Sequence, residues 1–226
     1  MSLEPSPSDV ATYKSDSVWS YELGSKNSFF DRALTIDGAV FDIEWANVQQ
    51  NSVLPYCGFG FTTNSGSARS RGGELEMKTR LSHGFDLTLG GGYTDARITD
   101  AGQLDLVPVG TRVQQVPEWT FNSGLNAHYD IGSLAGFSRL EVDYTGDSLS
   151  DTNSIASPRV RKAYTLVKIR TGVAAHGAEL TVFVDNLTNT RANFSDVRPE
   201  ASELPGRPRI AVNRPRTVGL DFRYRF

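Results

Sequence analysis

Long hydrophobic runs are missing from this chain. No stretch approaches the ~18 consecutive apolar residues that a membrane-spanning helix requires, and hydrophobic residues make up only 38% of the 226. A helical membrane protein is thereby excluded. A spanning β-barrel is not, because its lipid-facing and lumen-facing residues alternate and hide its apolar surface from any window average. Cysteine is nearly missing too. The single Cys57 can form no internal disulfide and has no metal-ligand spacing around it; a free thiol and a pair with a cysteine outside this sequence both stay open. The three histidines, His83, His128 and His176, are isolated from one another, so neither a metal nor another cofactor is expected. A formal charge of −3 and a pI near 5.6 give no footing for a polyanionic partner, and no nucleic-acid role is expected. The opening MSLEPSPSDV has no basic n-region, no apolar core and no small-residue cleavage site, so it does not read as a signal peptide. The chain is expected either to stay in the cytoplasm or to be a piece of something longer.

What the sequence does have is two-residue alternation from one end to the other, with helical periodicity almost absent. The terminal PRTVGLDFRYRF puts Val218, Leu220, Phe222, Tyr224 and Phe226 on one face and Thr217, Gly219, Asp221, Arg223 and Arg225 on the other. SVWSYELGSKNSF does the same with Trp19, Tyr21, Leu23 and Phe29. SRGGELEMKTRLS sets Leu75, Met77 and Leu81 against Glu74, Glu76, Lys78 and Arg80. FDLTLGGGYTDA, EWTFNSGLNAHYD, GFSRLEVDYTGDS, AYTLVKIRTGV and AELTVFVDNLTNT follow the rule. With ALTIDGAVFDIEWANVQ they make about nine strands of roughly ten residues, the length of a tilted spanning strand. In LTIDGAVFDIEW the apolar set moves from Leu34 and Ile36 to Phe41, Ile43 and Trp45. A bulge near Gly38-Ala39-Val40 is the expected cause, since one extra residue flips every later side chain.

Connections alternate between short and long. Short ones fall at Asp31, at His83, at 130–135 and at 174–177; long ones run through Cys57 and over 98–113, 146–160 and 191–214. Because alternate loops of a meander emerge at the same rim, all the long ones crowd one end, which is the plan of an outer-membrane barrel. Trp19, Tyr21, Trp45, Tyr93, Trp119 and Tyr144 lie at strand ends, where interfacial girdles sit. A soluble β-sandwich binding module is the competing expectation, and a small independent outer-membrane barrel, acting as a porin or surface binder, is another.

Four stretches, in order, resemble one family, the TonB-dependent outer-membrane receptors. SYELGSKNSFFDRALTIDGAVFDIEWANVQ is similar to that family's mid-barrel strand and hairpin, and NSGSARSRGGELE to its glycine- and glutamate-bearing strand entry. LTVFVDNLTNTRA resembles the penultimate strand, and NRPRTVGLDFRYRF the terminus. The resemblance implies an all-β, antiparallel up-and-down meander of about nine strands, part of a 22-stranded transmembrane barrel. Residues 1–16, rich in Ser, Pro and Asp, read as a disordered or loop segment, and the resemblance implies 17–226 as a C-terminal barrel segment in the outer membrane of a Gram-negative cell. The plug and the TonB-contacting box find no counterpart, so the TonB system would be met only through the missing plug. The parent would take up a ferric siderophore or similar scarce ligand. Outer-membrane lipid, lipopolysaccharide and the barrel-assembly machinery are the other implied partners, with Phe222, Tyr224 and Phe226 as the assembly signal read by edge pairing.

Other candidate sites read more plainly. GGGY at 90–93 sits inside a strand with no helix after it, so it is no phosphate cradle; it is expected to give room for lumen contents or a bend in the wall. Glu74, Glu76, Glu141 and Asp143 share a phase with Arg80, Arg139, Lys168 and Arg170, which favours a charge network around a plug over catalytic carboxylates. Arg207, Arg209, Arg214 and Arg216 form a basic run in the last long loop. It is expected to be solvated, or to meet an anionic ligand or lipopolysaccharide at the outer rim. No enzyme activity is expected.

Overall fold

A computed structural model describes residues 13–53, 60–64, 66–81, 84–102, 108–150, 159–197 and 209–226. Its strands are β1 (Ser17–Phe29), β2 (Leu34–Ala46), β3 (Gln49–Val53), β4 (Gly60–Asn64), β5 (Ser67–Arg80), β6 (Phe85–Asp100), β7 (Trp119–Ile131) and β8 (Leu134–Thr145). Then come β9 (Ser148–Leu149), β10 (Val160–Arg161), β11 (Tyr164–Ala175), β12 (Ala178–Asp185), β13 (Asn193–Val197), β14 (Arg209–Val212) and β15 (Thr217–Tyr224). Nine of them form one antiparallel sheet in the order β1-β2-β5-β6-β7-β8-β11-β12-β15. This is the expected meander, and among the described residues no second large sheet packs across it, so the sandwich expectation falls. The remaining six strands pair as three small hairpins, β3 with β4, β9 with β10 and β13 with β14. Each lies within a long connection.

The short connections are built to reverse the chain at once. His176 and Gly177, at φ 49° and 80°, join β11 to β12 as a two-residue turn whose positive φ values match strand twist. Tyr13–Asp16 lead into β1 at the loop end, where Asn64 and Gln49 hold Lys14 and the Trp45 indole donates to Asp16 at 2.8 Å. Residues 1–12, on which most of the expected tail falls, lie outside the described residues.

Because directly paired residues share a face, the register sorts every side chain. One face carries Leu23, Val40, Tyr93 and Trp119 in one row, and Leu87, Leu125, Leu140, Ile169, Val184 and Val218 in another. The opposite face carries Glu22, Lys26, Asp37, Glu74, Glu76, Lys78, Glu141, Lys168 and Arg170. The apolar face is open: Leu23, Leu75, Trp119, Leu220 and Phe222 are all more than half exposed. Only Val48, Ala68, Ala96, Ile98, Leu149 and Ala192 are buried apolar residues among the described set, and all lie at the loop end. A sheet with so small a core needs an apolar medium against its outer face, since soluble monomers rarely expose so much contiguous apolar surface.

The expected bulge in β2 is absent. Leu34 to Trp45 pair without a break with both β1 and β5. What changes is the solvent. Above Val40 the outward positions of β2, β5 and β6 become Asp42, Glu44, Arg71, Arg69, Asp95 and Arg97, and the inward ones become Phe41, Ile43, Trp45, Ala68, Ala96 and Ile98. These strands hold 13, 14 and 16 residues, more than the ~9–11 that span hydrocarbon. Their upper ends therefore stand in water, polar outside and packed inside against the Val48 and Val113 loop core. Trp45 consequently faces inward and leaves the expected girdle.

Rings on one strand lie over glycines on the next: Phe41 over Gly72, Phe137 over Gly172 and Phe183 over Gly219. A Cβ at Gly172 would stand 2.7 Å from Phe137 Cε1 and from the Leu180 carbonyl oxygen, whereas one at Gly124 would meet nothing within 4 Å. Gly172→Val is therefore expected to cost about 1–3 kcal/mol through overpacking, while Gly124→Ala stays within about 0.5 kcal/mol. Urea unfolding in detergent micelles measures both.

Candidate functional site

The polar face forms the site. Its strands β1, β2, β5, β6 and β7 line a concavity of 710 Å³, floored by residues with little or no side chain. Gly24, Ala39, Glu74, Gly92 and Thr120 make one row across five strands, and Lys26, Asp37, Glu76, Gly90 and Asn122 the next. Gly90 and Gly92 thus face inward and Gly91 outward. A Cβ at Gly90 would meet the Asn122 amide nitrogen at 2.6 Å, so this glycine makes room for a cross-strand neighbour. Glu76 is paired with Lys78 at 2.6 Å. Glu22 and Glu74 have no hydrogen-bond or ion-pair partner among the described residues, and both carboxylates stand free on the wall.

Strands β8, β11 and β12 carry the other half of the network. Lys168 reaches Asp143 at 3.1 Å and Glu141 at 3.9 Å, Arg139 reaches Glu141 at 2.6 Å, and Arg170 reaches Asp185 at 3.4 Å. Arg139 and Arg170 are directly opposed, a repulsion that these acids relieve; Arg170 also sits 5.4 Å above the Phe183 ring. The four carboxylates singled out in the sequence therefore do share a face with Arg80, Arg139, Lys168 and Arg170. They lie on two strands, β5 and β8, and Glu76, Glu141 and Asp143 are paired with basic neighbours while Glu74 is not, an arrangement that holds charge rather than moves protons.

At the loop end an asparagine cluster ties the last long connection down, and sequence reasoning missed it. The Asn186 amide donates to the carbonyls of Thr190 and Arg214 at 2.9 and 3.0 Å, Asn213 accepts from the Ala192 N–H at 2.7 Å, and Asn189 accepts from the Arg216 N–H at 3.1 Å. The visible signal was the run NLTN, whose short amides favour turns. Across the other loops Arg112 bonds Asp147 at 2.8 Å and Glu118 at 3.3 Å.

The remaining expected residues scatter. Phe222 and Tyr224 lie on the outer face of β15, an open sheet edge, and Phe226 follows with its ring 5.1 Å from that of Tyr224. His128 stands 3.7 Å from Asp86 at the turn end and His176 lies in a turn. Cys57, His83 and Arg207 lie outside the described residues, as does the side chain of Arg209. No group of His, Cys, Asp and Glu among the described residues could hold a metal ion.

The family model described as TonB dependent receptor-like, beta-barrel, matches residues 5–187. The chain belongs to this family. It is an outer-membrane β-barrel chain of the Gram-negative type, so the loop end faces outward and the turn end the periplasm. The pesticin receptor of Yersinia enterocolitica is 27% identical over 218 residues, 96% of this chain and 30% of that protein. The ferrichrome outer membrane transporter/phage receptor of Escherichia coli K12 is 30% identical over 172 residues, 74% of this chain and 22% of its own. The crystal structure of the ferric yersiniabactin uptake receptor FyuA from Yersinia pestis superposes with a TM-score of 0.75 at 25% identity, covering 93% of this chain and 30% of the other. The siderophore receptor PiuA from Acinetobacter baumannii shares the fold, with a TM-score of 0.70 at 17% identity. The chain spans under a third of these relatives, which are receptors and transporters.

The wall's two-sidedness can be read by thiol labelling in a bilayer, in a Cys57→Ser background. Cysteines at Glu74, Asn122 and Glu141 are expected to react with an impermeant maleimide, and cysteines at Leu75, Phe121 and Leu140 at least about tenfold more slowly. A cysteine at Glu44 should react freely although it shares their outward face. A bulge in β2 would place it inward.

Proposed function

We propose that this chain is the C-terminal wall of a TonB-dependent outer-membrane receptor, one portion of a larger plugged barrel of 22 strands. The parent takes up a ferric siderophore or similarly scarce ligand with energy from the TonB system, reached through the plug. The observation that carries this is the pair of open edges. Among the described residues β1 and β15 each have a neighbour on one side only, and their unpaired backbone groups would cost several kcal/mol apiece in hydrocarbon. A further barrel segment removes that cost, whereas nine strands alone could close only by pairing β1 with β15 in parallel. Moreover β1 and β15 run in the same direction, because the sheet has an odd number of alternating strands. An antiparallel closure needs an odd number of further strands between them, and thirteen meets that condition.

The free carboxylates of Glu22 and Glu74 suit cationic side chains of a plug seated in the glycine-floored concavity. The chain itself carries no enzyme activity. The edge strand β15, ending in Phe222, Tyr224 and Phe226, offers the barrel-assembly machinery an apolar strand to capture by edge pairing, and lipopolysaccharide surrounds the upper wall. The relatives' names support the ligand class: ferric yersiniabactin for one, ferrichrome for another.

Uptake of radiolabelled ferric siderophores by iron-starved cells, with the parent gene intact or deleted, tests the reading. Loss of uptake of one ligand on deletion is expected; unchanged uptake of all of them contradicts it. Glu22→Gln with Glu74→Gln is expected to lower uptake about tenfold or more, the worth of one charge-assisted hydrogen bond, at unchanged surface abundance. Removal of Phe226 should instead lower the abundance.

A further inference from the structure

The outer wall carries a feature that the receptor role does not use. At Gly73 and Gly91 the apolar face loses its side chains, and a groove of 560 Å³ runs between Val40, Leu75, Phe121 and the tilted pair Tyr93 and Trp119, whose centroids are 4.7 Å apart. Both glycines point outward: Gly73 pairs with Val40 and Tyr93, Gly91 with Leu75 and Phe121. A smooth lipid-facing wall would fill these positions with large apolar side chains, as the next row toward the turns does at Ile36, Met77 and Leu89.

Directly above lies charge. Arg71 is two residues from Gly73 on the same strand and face, about 7 Å higher along the strand. Its neighbours in the row are Asp42 and Asp95. Asp42 is already taken by Arg69, which bonds both its oxygens, at 2.8 and 2.5 Å. Asp95 is taken by Arg97 at 2.6 Å. Arg71 keeps one bond, from Nε to Asp42 Oδ2 at 3.2 Å, and its side chain is 57% exposed. Its two terminal nitrogens have no partner among the described residues.

We infer that this groove is a binding site for one outer-leaflet lipid, its acyl chain lying over Gly73 and Gly91 and its anionic headgroup on the free nitrogens of Arg71. The occupant follows from position and charge. The groove opens on hydrocarbon, it ends where the wall turns ionic, and the guanidinium at its upper end has donors to spare for a phosphate. The site presupposes the membrane-facing wall of the preceding sections.

The full chain with Trp19→Phe and Trp45→Phe keeps Trp119 as a reporter inside the groove. In mixed detergent micelles, phosphatidylglycerol with brominated acyl chains should quench it at about tenfold lower mole fraction than brominated phosphatidylcholine, as one charge-assisted hydrogen bond allows. Arg71→Gln should abolish that preference while leaving quenching itself, and Gly73→Val should weaken quenching by both lipids. Equal quenching by the two lipids overturns the site, as does a preference that survives Arg71→Gln, an exposed change that leaves the fold intact. Those outcomes leave the receptor reading standing, whereas a chain that stays monodisperse without detergent would remove both.

Discussion

Hydrocarbon offers a polypeptide no hydrogen bonds, so within it every backbone N–H and C=O must find a partner along the chain or beside it. This chain finds its partners beside it. Eight consecutive antiparallel pairings carry the backbone from β1 to β15, and that lateral bonding fixes the other properties. Pairing row by row holds each side chain to one face, and the two media on either side then decide its chemistry. The apolar face lacks a protein partner because lipid is its partner. Stability rests on the ladder and on lipid contact, with a packed core only where the strands leave the membrane.

The same constraint explains the unequal heights of the wall. β12 and β15 have eight residues each, whereas β2, β5 and β6 stand several residues taller and carry a collar of alternating charge on their outer surface. Where water replaces lipid outside, the sorting reverses: ion pairs between Asp42, Arg69 and Glu44 move outward, and Phe41, Ile43 and Trp45 turn inward. Long connections then build on this base. Arg112, Glu118 and Asp147 join two of them, and Asn186, Asn189 and Asn213 clamp a third, so the loop roots are fixed by the wall that they crown.

Much of this was legible in the sequence, because a period of two is the direct signature of a sheet with different media on its faces. The nine wall strands, their apolar phases, and the alternation of short and long connections all followed from it. The error in β2 is instructive. A change of face along a sequence can come from a shifted register or from a changed medium, and alternation alone is the same for both; only the unbroken pairing of Leu34 to Trp45 with both neighbours separates them. Trp45 was misplaced for the same reason. The three loop hairpins were missed because two to five residues are too few to establish a period. The inner-wall charges were legible as a set, since Glu74, Arg80, Glu141 and Lys168 share a phase. Which of them pair was not, because pairing depends on strand neighbours far apart in sequence. The outer groove was hidden for another reason: a glycine shows which face it occupies only once the register is known.

The central claim is that one continuous antiparallel wall divides lipid from a wet interior. Sedimentation velocity of the purified 226-residue chain, with and without detergent, tests it most directly. Discrete micelle-bound particles in detergent, and aggregation on its removal, are the expected result. A monodisperse monomer in plain buffer, retaining its strand content, would contradict it.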